Sequence, residues 1–104
     1  MGWKMRLKRI YRVLVIDTDK NTRQGLVEYY FKNLEHQYAP NARSVVHKAK
    51  DTSDALRKCS NLQLVVFSQD FPEAEKARLR EWLSNFTTKI LFITVPLRLS
   101  EKVT

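Results

Sequence analysis

Arg12–Asp17 reads RVLVID, an unbroken apolar run closed by an acid, and Leu62–Ser68 reads LQLVVFS, a second such run closed by a hydroxyl. Continuous apolar runs of this length fit strands buried on both faces, the condition of a parallel sheet covered by helices on each side. Lys89–Val95 (KILFITV) is a further run, stopped by Pro96, and Arg43–Lys48 is a shorter strand carrying Val45 and Val46. The segments between them have helical spacing. From Thr18 to Leu34, Leu26, Val27, Tyr30, Phe31 and Leu34 share one face, with Thr18 or Asp19 as cap, and a polar loop containing Pro40 follows over Glu35–Ala42. Asp51, Thr52 and Ser53 offer caps for a helix through Ala55, Leu56 and Cys59. Pro72 suits the first turn of a last helix, with Glu73 and Glu75 at the positive end of its dipole and an apolar stripe of Leu79, Trp82, Leu83 and Phe86. The order β-α-β-α-β-α-β predicts a three-layer α/β sandwich around a doubly wound parallel sheet.

The 104 residues fit one domain, and an apolar fraction of 43% is enough for a packed core. One cysteine, Cys59, excludes an internal disulfide, so a reducing cytoplasm is the expected location. No apolar run reaches the ~18–20 residues of a membrane helix, and Met1–Arg12 lacks the apolar stretch of a signal peptide. The formal charge of +8 is uneven: Lys4, Arg6, Lys8, Arg9 and Arg12 fall in the first twelve residues with no acid among them. Setting these five aside leaves +3, ordinary for a globular body. The chain thus divides into a basic arm, residues 1–11, and one domain, residues 12–104. Trp3, Met5 and Leu7 alternate as in a strand, while Trp3, Leu7 and Ile10 have helical spacing, so both readings of the arm stand. Its charge suits an anionic partner (nucleic acid, an acidic protein or a lipid surface) or serves as a solvated lead-in.

In doubly wound folds ligands bind beyond the carboxyl ends of the strands, where strand order reverses. The residues there are Asp17, Thr18 and Asp19 after the first strand, Ser68 and Asp70 after the third, and Thr94 near the end of the fourth. The sequence has neither Gly-x-Gly-x-x-Gly nor Gly-Lys-Ser/Thr, so dinucleotide and P-loop phosphate sites lack their loops. His36 and His47 have no metal-ligating partner at suitable spacing and read as surface residues, and Cys59 reads as a small core residue. No metal or cofactor is expected.

Val13–Leu26 (VLVIDTDKNTRQGL), Asp54–Leu56 (DAL), Leu62–Pro72 (LQLVVFSQDFP) and Ile90–Thr94 (ILFIT), in this order, resemble the receiver domain of bacterial two-component response regulators. The resemblance runs from about Tyr11 to Pro96 and implies a flavodoxin-like sheet. It also implies a pocket in which two acids after strand 1 hold Mg²⁺ and an Asp closing strand 3 accepts phosphate. A Thr or Ser on strand 4 reads that phosphate out, and a Lys on strand 5 pairs with it. Asp17 and Thr94 match this pattern. Thr18 stands where the second acid belongs, and counting four residues back from Pro72 puts Ser68 in the acceptor position. Only Pro96–Thr104 follow strand 4, so the fifth strand, its Lys and the last helix have no counterpart. The resemblance therefore implies a degenerate, or pseudo-, receiver, with Asp19 and Asp70 as substitute ligands outside the family pattern and Asp17 hydrogen-bonded to Ser68 or Thr94.

The expected function is a non-catalytic regulatory or adaptor module, not an enzyme, that binds another protein or a second copy of itself. With the last β-α unit missing, strand 4 becomes an open edge, and Lys89, Ile90, Leu91, Phe92 and Ile93 are the candidate interface. The alternative is the N-terminal part of a transcriptional regulator, with Lys4, Arg6, Lys8, Arg9 and Arg12 contacting nucleic acid. A third reading, phosphorylation of Asp70 in place of Ser68, requires a two-residue slip of the third strand against its core.

Overall fold

The computed structural model describes residues 9–58, 61–85 and 89–96. Among these residues, four parallel strands form one sheet in the order β2-β1-β3-β4, with β1 at Arg9–Ile16, β2 at Ala42–Ala49, β3 at Leu64–Ser68 and β4 at Leu91–Val95. This order matches the first four positions of the flavodoxin-like arrangement. It reverses between β1 and β3, so the switch point lies beyond the ends of these two strands.

Successive strand residues point to opposite faces, and both faces are covered. Leu14 and Ile16 of β1 join Val65 and Phe67 of β3 in one core cluster, completed by Ala55, Leu79 and Leu83 from helices α3 (Thr52–Lys58) and α4 (Glu73–Leu83). Val13, Val15, Leu64 and Val66 point the other way, onto Leu26 and Tyr30 from helix α1 (Lys20–Tyr29) and the turn that follows it. All four apolar positions Val13 to Ile16 are fully buried. That double burial is why the run contains no polar residue. Three layers and an all-parallel sheet are the architecture the sequence predicts. None of the described helices is long and apolar enough to cross a membrane.

Several elements differ from their sequence reading, and β1 starts at Arg9, inside the segment read as the arm, while β3 starts at Leu64. The first helix does not give way to a loop at Glu35. It passes through a π-helical segment, Tyr30–Leu34, into a short helix α2, Glu35–Tyr38. The wider π turn rotates the face after Tyr30, so Phe31 leaves the apolar stripe, stands 47% exposed and meets the Tyr30 ring only edge-on. In α4 the buried stripe is Lys76, Leu79 and Leu83, while Trp82 faces outward at 52% exposure; Phe86 lies outside the described residues. Pro72 sits one place before that helix as its cap residue and not in its first turn. Lys89 and Ile90 precede β4, which starts at Leu91.

Candidate functional site

The caps of α1 and α3 are acids that follow strands. Asp19 Oδ2 accepts hydrogen bonds from the Thr22 backbone N–H (2.7 Å) and from Thr22 Oγ1 (2.9 Å), closing the first turn of α1. Asp51 Oδ1 accepts from the Asp54 N–H at 2.8 Å and does the same for α3. After β3 the chain folds back at once through a turn in which the Phe71 N–H donates to the Ser68 carbonyl at 3.2 Å. Phe71 then stacks on Phe67 at 5.3 Å between ring centroids, fixing the turn to the core.

These loops meet at the switch point around a cavity of about 160 Å³ lined by Asp17, Thr18, Asp19, Thr22, Ser68, Asp70, Phe71 and Pro72. Five of the six residues singled out in the sequence thus come together. Asp17 and Ser68 are both buried, and Ser68 Oγ donates to Asp17 Oδ2 at 2.7 Å. Asp17 Oδ1 accepts the Asp19 N–H at 2.9 Å, so both carboxylate oxygens are engaged. The Arg23 guanidinium donates to the carbonyls of Asp17 (2.7 Å) and Thr18 (3.3 Å), tying α1 to the strand end. Asp70 is exposed within the turn and shares the cavity wall.

The sixth residue, Thr94, does not join them. The β3–β4 register sets Thr94 opposite Phe67 and Val95 opposite Ser68. Paired residues of parallel strands share a face, so this one-residue offset turns Thr94 to the opposite side of the sheet from Ser68. Of the two partners considered for Asp17, only Ser68 is in reach. Thr94 Oγ1 accepts instead from Lys76 Nζ at 3.5 Å.

Lys76 was not legible as a special residue, since a lysine on a helix reads as solvated. It is 4% exposed, pairs with Glu73 at 3.0 Å and holds its ammonium 5.6 Å above the Phe67 ring. Its spacing of three residues from Leu79 is the one available signal. Glu73 is largely in solvent and loses little without its partner, whereas an isosteric apolar side chain removes a desolvated charge. Lys76→Met is therefore expected to leave stability unchanged or raise it by about 1 kcal/mol in urea unfolding. A loss above about 1 kcal/mol would show that the ammonium, and not its aliphatic stem, holds α4 to β4.

The cavity has the composition of a strand-end site and limited chemistry. An Asp carboxylate is too weak a base to ionise a serine hydroxyl, and neither His36 nor His47 lines this wall. Among the described residues, no three His, Cys, Asp or Glu side chains are grouped to hold a metal ion. His36 is exposed, as its sequence reading has it; His47 is half-buried on β2, with its Nε2 enclosed and unpartnered. Burial, aided by the Arg12 charge, lowers the His47 pKa below its ordinary value.

Of the other candidate surfaces, β4 pairs only with β3 among the described residues and forms one edge of the sheet they make. Leu91 is 45% exposed there, and Phe92 and Ile93 are half-buried. Lys89 and Ile90, just before the strand, are exposed and half-buried respectively. Of the basic arm, Arg9 and Arg12 open β1, exposed and half-buried; Lys4, Arg6 and Lys8 lie outside the described residues, as does Cys59. No protein-family model, no curated protein and no solved structure matches the chain.

Proposed function

We propose that the protein is a non-catalytic regulatory or adaptor module built on a receiver-like sheet, acting through the outer edge of β4, where a second copy of the chain pairs. The observation that carries this reading is the position of β4. Among the described residues it is the last strand of the sheet, paired on one side only, and its outward surface includes an exposed Leu91. A strand edge of this composition is a template for another strand. The engaged Asp17–Ser68 pair supports the non-catalytic part: a buried hydroxyl bonded to a carboxylate stands where the resemblance leads one to expect a phosphoacceptor.

Light scattering over a concentration series is expected to show a mass rising from 12.3 kDa toward twice that value. Leu91→Lys, a change at an exposed site, is expected to keep the chain monomeric while its circular dichroism stays unchanged. A wild-type chain that remains monomeric at millimolar concentration overturns the edge reading. Incubation with acetyl phosphate and Mg²⁺ is expected to add no phosphate by intact mass, and a phosphate retained on Ser68 or Asp70 overturns the non-catalytic one.

A further inference from the structure

The opposite edge of the sheet carries a different surface. A groove of about 770 Å³ crosses the outer side of β2, running from α1 on one face of the sheet to α3 on the other. Six cations line it: Lys20 and Arg23 from α1, Lys48 from β2, Lys50 from the following turn, and Arg57 and Lys58 from α3. Asp54 is the one carboxylate among them, giving a formal +5 in a chain of total charge +8.

Asp54 does not cancel this field so much as organise it. Its oxygens accept from Arg57 Nη2 at 2.8 Å and from the Lys50 backbone N–H at 3.1 Å, and Lys58 Nζ lies 3.2 Å away. These contacts fix the α3 side of the groove. No ion pair among the described residues engages Lys20, Lys48 or Lys50, and all three are exposed. The imidazole of His47 forms part of the wall, with its Nε2 enclosed.

The chemistry of the wall narrows the occupant. Its cations are spread over two helices, a strand and a turn, on both sides of the sheet edge, a layout suited to an extended chain of negative charges. No Phe, Tyr or Trp side chain lines the groove, so it has no large platform for base stacking and its charge suits contacts to the backbone. Guanidinium forks and lysine ammonium groups are the usual partners of phosphate oxygens. We propose that this groove is a second contact surface, independent of the β4 edge, which takes the phosphate backbone of a nucleic acid without reading base sequence.

The test uses fluorescence anisotropy of the full chain with a labelled, mixed-sequence single-stranded DNA over a salt series. Lys48→Ala/Lys50→Ala removes two exposed groove cations. Lys32→Ala/Arg80→Ala removes the same charge from exposed sites outside the groove and serves as control. With about 0.7 counterions released per cation on a single strand, the groove variant is expected to lower the slope of log affinity against log salt by about 1.4. At about 50 mM salt that corresponds to a loss of at least about tenfold, while the control loses less than about threefold. Three results overturn the proposal: no binding by the wild-type chain at low salt, equal losses in the two variants, or competition by polyglutamate as effective as that by unlabelled DNA. Equal losses would assign binding to net charge or to the N-terminal arm.

Discussion

Ser68→Asp, which installs the acid that the receiver resemblance implies for this position, is expected to destabilise the protein by about 3–5 kcal/mol near pH 7. Ser68 is 1% exposed, and its hydroxyl donates to Asp17 Oδ2 at 2.7 Å. An aspartate there replaces the donor with a second carboxylate inside a cavity of about 160 Å³, and two anions at that distance cannot both stay ionised. The pair shares one proton, with one apparent pKa raised above the ordinary carboxylate range. The sign of the pH effect follows. A raised folded-state pKa on an acid leaves stability intact below the unfolded value near 4 and removes it as pH rises through the folded value. The penalty relative to wild type should therefore shrink as pH falls from 7 toward 4.5 in urea unfolding. An equal penalty at both pH values would mean that the new carboxylate reaches solvent or a cation. Ser68→Ala separates the missing donor from the added charge. It leaves Asp17 Oδ2 without its bond and is expected to cost about 1–3 kcal/mol, with no such pH dependence.

The same site shows which features the sequence carried. Val13 to Ile16 and Leu64 to Phe67 are buried on both faces, so burial itself wrote their positions as unbroken apolar runs. The strand-end rule then brought Asp17 and Ser68 together, because β1 and β3 pair in parallel from Val13–Leu64 to Ile16–Phe67 and so finish side by side. Thr94 failed for a reason periodicity cannot show. Alternation along β4 is masked when KILFITV is apolar on both sides, and only the pairing of Thr94 with Phe67 reveals which face it takes. The composition of β4 resembles that of a central strand, and its edge position was expected from the resemblance alone. The π segment after Tyr29 left no composition signal, and Phe31 was misplaced with it. The basic groove was hidden by distance along the chain. Lys20 and Lys58 lie on separate helices, each cation looks solvated locally, and the charge count drew attention to the arm instead.

Tyr30→Ala is expected to cost about 3–5 kcal/mol, close to the total stability of many small domains. Tyr30 is fully buried at the point where α1 enters the π segment, and it packs in the cluster formed by Val13, Val15, Leu26, Leu64 and Val66. Its hydroxyl reaches across to β2, 2.7 Å from Ser44 Oγ, so a single side chain ties the α1 layer to the sheet edge that carries the groove. Tyr30→Phe keeps the ring and loses that bond, and is expected to cost only about 0.5–1.5 kcal/mol. The two variants thus divide packing from hydrogen bonding. Alkaline unfolding gives a second readout. Burial raises the Tyr30 pKa above 10, the nearby Glu35 charge adds to this, and the Ser44 bond works against it. Stability from a neutral buried phenol is present below pH 10 and is lost as pH rises through the folded-state pKa, because the unfolded chain ionises first. Tyr30→Phe should therefore unfold along a shallower alkaline limb than wild type. Tyr11 is also raised, by burial first and then by the Tyr30 and Tyr38 charges. An alkaline limb unchanged in Tyr30→Phe would assign the transition to Tyr11, which Tyr11→Phe then tests directly.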